Sequence, residues 1–328
     1  MTGDDTAPDE TRIMAAAARL AGHVRETPLL RDPALDAIAG RPVWVKAECL
    51  QHTGSFKYRG AKAAVTALCA AGSVAGVVAC SSGNHGQGVA RAAREAGIAA
   101  VIVLPDDAPD PKVAAIRANG AEIVTHDRHG ADRHAIAAAI CAARGFAFIP
   151  PFDHPDVIAG QAGVGLEIAA QVRATGVTQA DVLVCCGGGG LAAGIALALE
   201  PRAPGLRVCT VEPEGYDDTA RALAGAPGPN PPGARSVCDA ILTPAPGRLT
   251  LPVLARLAGP GRTVTDDAAL RAMTLAFAHL RIVLEPGGAV ALAAALDWTD
   301  AADTPVIAVA TGGNVDPALF ARAIRAGT

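Results

Sequence analysis

Residues 48–61 read Glu48-Cys-Leu-Gln-His-Thr-Gly-Ser-Phe-Lys-Tyr-Arg-Gly-Ala61, with Lys57 at the centre. A lysine that attacks an aldehyde needs a desolvated pocket that draws its pKa toward neutrality. It also needs a rigid mount and anion-binding backbone groups nearby. Thr53-Gly54-Ser55 predicts a turn with hydroxyl caps, and Phe56 onward predicts a helix with Ser55 as its N-cap. Lys57 then falls in the first turn, where the positive helix end disfavours a second positive charge and enlarges the fraction of free amine. For a lone lysine the ordinary reading is a surface position on an amphipathic helix. Here two further segments complete a site.

On either side of this stretch the pattern alternates. Arg12–Val24 predicts an alanine-rich helix after a polar, disordered segment 1–10, and Val43–Glu48 predicts a short strand. Helices are expected over Phe56–Ala71, Asn84–Ala96, Pro111–Asn119 and Ala131–Arg144. Strands are expected between them at Gly76–Cys80, Ala100–Leu104, Glu122–Val124 and Ala147–Ile149. Such a run of βα units builds parallel sheets covered on both faces. Pro150-Pro-Phe-Asp-His-Pro155 reads as a rigid connector. A second series follows, with strands at Val182–Cys186, Arg207–Glu212, Thr263–Thr265 and Val306–Ala310. Its helices are Ile158–Ala174, Leu191–Leu199, Asp266–Leu280, Gly288–Leu296 and Pro317–Ala326, with a Pro/Gly/Ala-rich loop over Leu223–Arg235. No repeat of fixed period is present.

Composition narrows the function classes. A chain of 328 residues suits two domains. A net charge of only −4 and an aromatic share of 3% give no basis for a nucleic-acid or anionic-membrane partner. No stretch is apolar and charge-free over the length a bilayer requires, and the N-terminus does not read as a signal peptide. Eight scattered cysteines, without Cys-x-x-Cys or zinc spacing, predict free buried thiols in a reducing cytoplasm.

Val182-Leu-Val-Cys-Cys-Gly-Gly-Gly-Gly-Leu-Ala-Ala-Gly-Ile195 reads as strand, four glycines, helix. Only glycine lets consecutive amides turn toward one anion without side-chain clash, and the following helix adds its N-terminal dipole. The loop therefore predicts a phosphate site. The identity of the phosphate stays open on these residues. Gly187 to Gly194 can be threaded onto Gly-x-Gly-x-x-Gly with Glu212 as the distal acid, which keeps a nicotinamide dehydrogenase as an alternative. Ser81-Ser-Gly-Asn-His-Gly-Gln87 follows a strand and opens a helix, where Asn84 could also serve as a simple N-cap.

Ser-Phe-Lys-x-Arg-Gly-Ala, Ser-Ser-Gly-Asn-His-Gly-Gln and Cys-Gly-Gly-Gly-Gly-Leu together resemble the serine/threonine dehydratase and serine racemase family. These are pyridoxal-phosphate enzymes of fold type II, the tryptophan-synthase β-like fold. The resemblance runs from about Glu48 to Asp316. It implies an α/β protein of two domains, each with a mostly parallel sheet: residues 1–50 and 155–328 as a large cofactor-binding domain, and 51–154 as a smaller one inserted in it. It implies that Lys57 holds pyridoxal 5'-phosphate covalently and then moves the substrate's α-proton. Phe56 lies beside the cofactor, Gly187, Gly188, Gly189 and Gly190 take its phosphate, Asn84 meets the ring hydroxylate, and Glu285 lies near the ring. Thr311, where most relatives carry serine, faces the pyridine nitrogen. Ser81, Ser82, Asn84 and His85 are implied to bind the substrate.

The same resemblance points to a branch. Ser82 stands where simpler dehydratases tend to have alanine, and in the racemase pattern this residue protonates the opposite face. Arg133 falls where racemase-like members place an arginine toward the substrate. It could pair with a second carboxylate, as in 3-hydroxyaspartate, or simply be solvated. Glu212, Asp218 and the carbonyl of Tyr216 match a Mg²⁺ or Ca²⁺ site, for which an acidic loop capping a helix is the plain alternative. Ser236-Val-Cys-Asp-Ala-Ile241 replaces the usual Ala-Asp-Gly, so that Ala240 narrows the space beside the cofactor. The chain ends at Thr328, and feedback control through a C-terminal regulatory domain is not expected. The expected reaction is elimination of ammonia from serine, threonine or a 3-hydroxy relative by a cytoplasmic homodimer. Racemisation, or 3-hydroxyaspartate as preferred substrate, is the same-site alternative.

Overall fold

The protein is described by a computed structural model that covers residues 6–72, 74–108, 110–127, 130–299 and 304–326. Half of the segment expected to be disordered, residues 1–5, lies outside these. Asp9 already caps a helix over Glu10–Leu20, accepting from the Arg12 amide, so the first helix begins and ends earlier than its alanine run predicts.

Among the described residues, ten strands form two sheets. We number them β1 (Leu29–Arg31), β2 (Val43–Lys46), β3 (Gly76–Cys80), β4 (Ala99–Pro105), β5 (Glu122–His126), β6 (Ala147–Phe148), β7 (Ala180–Cys185), β8 (Leu206–Pro213), β9 (Arg262–Val264) and β10 (Val306–Val309). The six-stranded sheet runs β1-β2-β10-β7-β8-β9 and the four-stranded sheet β5-β4-β3-β6. Every pairing is parallel except β1 with β2. The inner strands β3, β7 and β10 are buried along their whole length, as parallel strands covered by helices on both faces must be. The expected α/β class with two parallel-sheet domains is what the chain forms.

Three helices make the spine between the sheets: Lys57–Ala71, Pro155–Val172 and Gly190–Leu199. Their approach is too close for side chains at two contacts. A Cβ on Gly160 would lie 2.6 Å from the Ala63 Cβ, and one on Gly194 would lie 2.7 Å from the Ile158 carbonyl oxygen. Small residues at these crossings therefore set the distance between the helix that carries Lys57 and the helix that follows the glycine loop.

The loops that follow β3, β7 and β10 lie at the carboxyl ends of parallel strands, where open α/β sheets bind their ligands. Extended Ser55 pairs with Gly312, and the Phe56 amide donates to the Thr311 carbonyl at 3.1 Å. These bonds fasten the Lys57 segment to the end of β10.

The local expectations at Lys57 need correction. Its helix begins at Lys57 itself. Phe56 occupies the N-cap with helical dihedrals, and Ser55 is extended at φ −162°, ψ 158°. Among the described residues the Ser55 and Thr53 hydroxyls find no hydrogen-bond partner. Gln51 closes the preceding turn instead, accepting from the amides of His52 and Arg25. Three short elements escaped the sequence reading: β1, the helix Pro33–Ala39 capped by Asp32, and the helix Thr250–Leu257. The helix expected to run to Leu280 leaves α geometry after Leu275 and closes in a π turn over Ala276–Leu280.

Candidate active site

The chain has four lysines. Lys46 is paired with Glu167, Lys62 with Glu95, and Lys112 with Asp239. Among the described residues only Lys57 has no carboxylate. Its Nζ donates to the Pro151 carbonyl at 2.8 Å and lies 5.1 Å from the centre of the buried Phe56 ring. Burial pulls the Lys57 ammonium down to about 8, against a smaller opposing pull from Cys185. An unpaired, desolvated amine at a helix start is the chemistry that an attacking lysine needs.

The glycine loop lies at the end of β7. Gly189 has φ +84°, and a Cβ on Gly188 would fall 2.3 Å from the Phe152 ring. Gly188 is thus restricted by contact and Gly189 by backbone conformation, and the Gly190–Leu199 helix starts directly behind them. The Thr250 hydroxyl donates to the Gly188 carbonyl at 2.7 Å and holds the loop from below. Amides of Gly187, Gly188, Gly189 and Gly190 at a helix N-terminus, free of side chains, suit a phosphate.

Just after β10, Thr311 is 3% exposed, and its Oγ1 lies 3.1 Å from Cys185 Sγ. Glu285 occupies the N-cap position of the helix Pro286–Leu296 yet makes no side-chain cap bond. Its Oε1 accepts from Asn84 Nδ2 at 2.6 Å. Burial pushes Glu285 up to about 7, with the Asn84 bond pulling the other way. Asn84 Oδ1 in turn accepts from Asn314, whose same nitrogen also reaches the Thr53 carbonyl. Asn314 is a clamp that sequence reasoning missed. Its signal was present in Thr311-Gly-Gly-Asn314, a polar turn directly after a buried strand.

The loop after β3 carries the residues expected to meet the substrate. Ser81 Oγ accepts from the Gly83 amide, Ser82 is half-buried, and Asn84 opens the helix Asn84–Ala96. His85 is buried with Nε2 on the Ile149 carbonyl at 2.9 Å. Burial, and then the charge of Lys57, push His85 down to about 3, so it stays neutral. Arg133 is the exposed first residue of the helix Arg133–Arg144. Its carbonyl accepts from Cys80 Sγ at the end of β3. A cavity of about 450 Å³ opens beside these groups, lined by Gln87, Lys112, Asp239, Glu285 and Asn314 among others. A larger groove, about 550 Å³, runs between the N-terminal helix and Pro252–Arg256 and holds none of the site residues.

Glu212 lies at the end of β8. Its two oxygens accept from the amides of Thr219 and Ala220. Burial raises its pKa to about 8, with those amides and the nearby Asp218 as smaller influences. Asp218 Oδ1 accepts from Asn230, and its Oδ2 is buried without a hydrogen-bond partner among the described residues. Glu212 therefore caps the helix Asp218–Leu223, in agreement with the plain alternative. Among the described residues no cluster of three or more His, Cys, Asp or Glu side chains could hold a metal ion. No helix among them is long and apolar enough to cross a membrane.

Comparison with known proteins agrees with this chemistry. The family model described as "Pyridoxal-phosphate dependent enzyme" matches residues 20–312. An L-threo-3-hydroxyaspartate ammonia-lyase of Pseudomonas sp is 37% identical over 314 residues, covering 95% of this chain and 97% of that protein. The solved structure of a threonine deaminase from T.th. superposes with a TM-score of 0.88 at 41% identity, covering 94% of this chain and 99% of that one. Maize serine racemase gives a TM-score of 0.90 at 33% identity, covering 98% of both chains.

Proposed function

We propose, from the premise that this chain belongs to the pyridoxal-phosphate dependent enzyme family, that it deaminates a β-hydroxy amino acid by α,β-elimination, the water lost across Cα and Cβ being taken up again as the released imine is hydrolysed. L-threonine and L-serine are the proposed substrates, and the products are a 2-oxo acid and ammonia. The observation that carries this reading is the singular state of Lys57, the one lysine of four that meets no carboxylate among the described residues, with its pKa lowered to about 8. The nicotinamide alternative has no support once the family is established.

The residues present fit the cofactor. Lys57 would hold it, the amides of Gly187 to Gly190 would take its phosphate, and Asn84, Glu285 and Thr311 would surround its ring. When bound, pyridoxal phosphate supplies an electron-accepting ring that makes the substrate's α-proton removable. The Lys57 amine takes the proton from the α-carbon. The low pKa makes the amine a base at working pH without leaving it too weak to accept that proton. The amides at the start of Asn84–Ala96, with Ser81 and Ser82, bind and orient the substrate carboxylate. Glu285 serves to orient Asn84 rather than to pair with a cation. Phe152 and Phe56 exclude water beside Lys57 and the glycine loop.

A second reading has its own support. Ser82 is half-buried in the loop after β3, and its hydroxyl would return a proton to the face away from Lys57 and racemise the substrate. Arg133, beside the end of β3, would favour a second substrate carboxylate. The relatives named above include an ammonia-lyase for L-threo-3-hydroxyaspartate and a serine racemase. A panel of L-serine, D-serine, L-threonine and the 3-hydroxyaspartate isomers, scored for 2-oxo acid and for enantiomer, ranks these readings. Oxo acid from none of them would refute the elimination. Loss of racemisation with retention of elimination in Ser82→Ala is the expected mark of a two-base site. Unchanged racemisation removes Ser82 from that role.

The finer organisation belongs to the same proposal. Residues 51–154 form the small domain and residues 1–50 with 155–328 the large one. The active protein is a cytoplasmic homodimer. A Mg²⁺ or Ca²⁺ ion would bind Glu212, Asp218 and the Tyr216 carbonyl. The unpartnered Asp218 Oδ2 supports it, because a cation would satisfy that oxygen. EDTA treatment that leaves both melting temperature and activity unchanged would remove that ion from the account.

A further inference from the structure

We infer that Cys185 is a positioning residue for the ring pocket: its thiol donates to Thr311 Oγ1 and thereby turns that hydroxyl's own proton toward the bound ring nitrogen. This rests on the reading that Thr311 faces that nitrogen. The contact itself is independent of it. Sγ and Oγ1 are 3.1 Å apart, and both residues are nearly sealed from solvent, at 4% and 3% exposure.

The direction of the bond follows from the available protons. A threonine hydroxyl has one proton and two lone pairs, and a thiol has one weakly donated proton. If Thr311 gave its proton to sulfur, it would offer a ring nitrogen only lone pairs, and the nitrogen would need a proton of its own. If the thiol donates, Thr311 accepts with one lone pair and keeps its proton for the ring. The ring nitrogen then accepts a hydrogen bond and stays unprotonated. Burial pushes the Cys185 thiol up to about 11, outweighing the Thr311 bond and the Lys57 charge, so the donor proton is present at neutral pH.

The chain gives this contact a fixed geometry. Alternation along β7 points Leu183 and Cys185 into one core and Val184 and Cys186 into the other. Cys186 accordingly meets Thr219 at 3.4 Å on the far face. Thr311 is tied at both backbone ends, its carbonyl to the Phe56 amide and its amide to the Gly288 carbonyl. Its β-branched side chain has little χ1 freedom left, and the one rotor that the backbone does not set is the hydroxyl.

The test loads the protein with pyridoxal phosphate labelled with ¹⁵N in the ring and reads the nitrogen's chemical shift in wild type, Cys185→Val, Cys185→Ser and Thr311→Val. A hydrogen-bonded, unprotonated nitrogen is expected in wild type. Cys185→Val should move it toward free pyridine and lower kcat about tenfold, the loss of roughly one hydrogen bond. Cys185→Ser, which keeps a donor, should hold the wild-type shift. A wild-type shift in Cys185→Val while Thr311→Val moves it overturns the inference about Cys185 alone. A shift unmoved by Thr311→Val overturns the ring reading beneath it.

Discussion

Arg59, two residues after Lys57, is 1% exposed and sits in a buried network of charges. Its Nε and Nη2 donate to Glu48 at 2.8 Å, its Nη1 to Glu167 at 2.6 Å, and Nη2 also reaches the Arg25 carbonyl at 3.0 Å. Lys46 completes the set on Glu167 and the Thr27 carbonyl. Burial alone would raise the pKa of Glu48. The Arg59 charge and hydrogen bonds, with Lys46 and Thr27 behind them, outweigh burial and hold it below 4.5. Replacing Arg59 with methionine leaves Glu48 fully enclosed with only the Thr27 hydroxyl as a direct side-chain donor. Removing one partner of such a buried pair costs about 3–5 kcal/mol.

Glu167 is 16% exposed and glutamine keeps an acceptor oxygen there, so Glu167→Gln should cost less, about 1–2 kcal/mol. Urea titration of the apoproteins gives both numbers. The double variant Arg59→Met with Glu48→Gln should recover part of the loss, because no buried charge is then left unpaired. A depressed carboxylate pKa stabilises above the unfolded value of 4.5 and loses that contribution as pH falls through the folded value. The wild-type advantage over Arg59→Met should therefore shrink on acidification below pH 4.5. A loss under about 1 kcal/mol for Arg59→Met would refute the assignment of the network as the anchor of the Lys57 helix.

Lys57 predicts a pH dependence of the same sign for the apoprotein, but in the alkaline range. Its folded pKa is depressed from 10.5 to about 8, so its contribution is full above 10.5 and is lost as pH falls through about 8. At pH 7 that is a penalty of up to about 3 kcal/mol, and apo Lys57→Met should melt higher than wild type there and converge with it toward pH 11. Equal melting at all pH values would contradict the depressed pKa. In Gly188→Ala the new Cβ must displace the Phe152 ring, and a loss of about 1–3 kcal/mol in apoprotein stability is expected, together with weaker cofactor retention measured by equilibrium dialysis. Retention equal to wild type would show that the loop does not hold the phosphate.

The alternation of buried strands and helices was legible because parallel strands are continuous apolar runs and their helices are bounded by Gly and Pro. The glycine loop and Lys57 were legible because few other roles tolerate those residues in that order. Arg59 was not. Its partners Glu48 and Glu167 lie 11 and 108 positions away, and no local pattern marks a charge that will be buried. The Ser55 cap was misread for a related reason. Propensity favours serine at an N-cap, yet Ser55 is held extended by its bridge to Gly312, more than 250 residues further along the chain. Glu285 shows the same limit, since a carboxylate at a helix start turns away from that helix to meet Asn84.

The most direct measurement is borohydride reduction of the protein after loading with pyridoxal phosphate, followed by peptide mapping. A pyridoxyl group on Lys57, and none on Lys46, Lys62 or Lys112, is the predicted result. Label on any of those three lysines, or on none, would contradict the account.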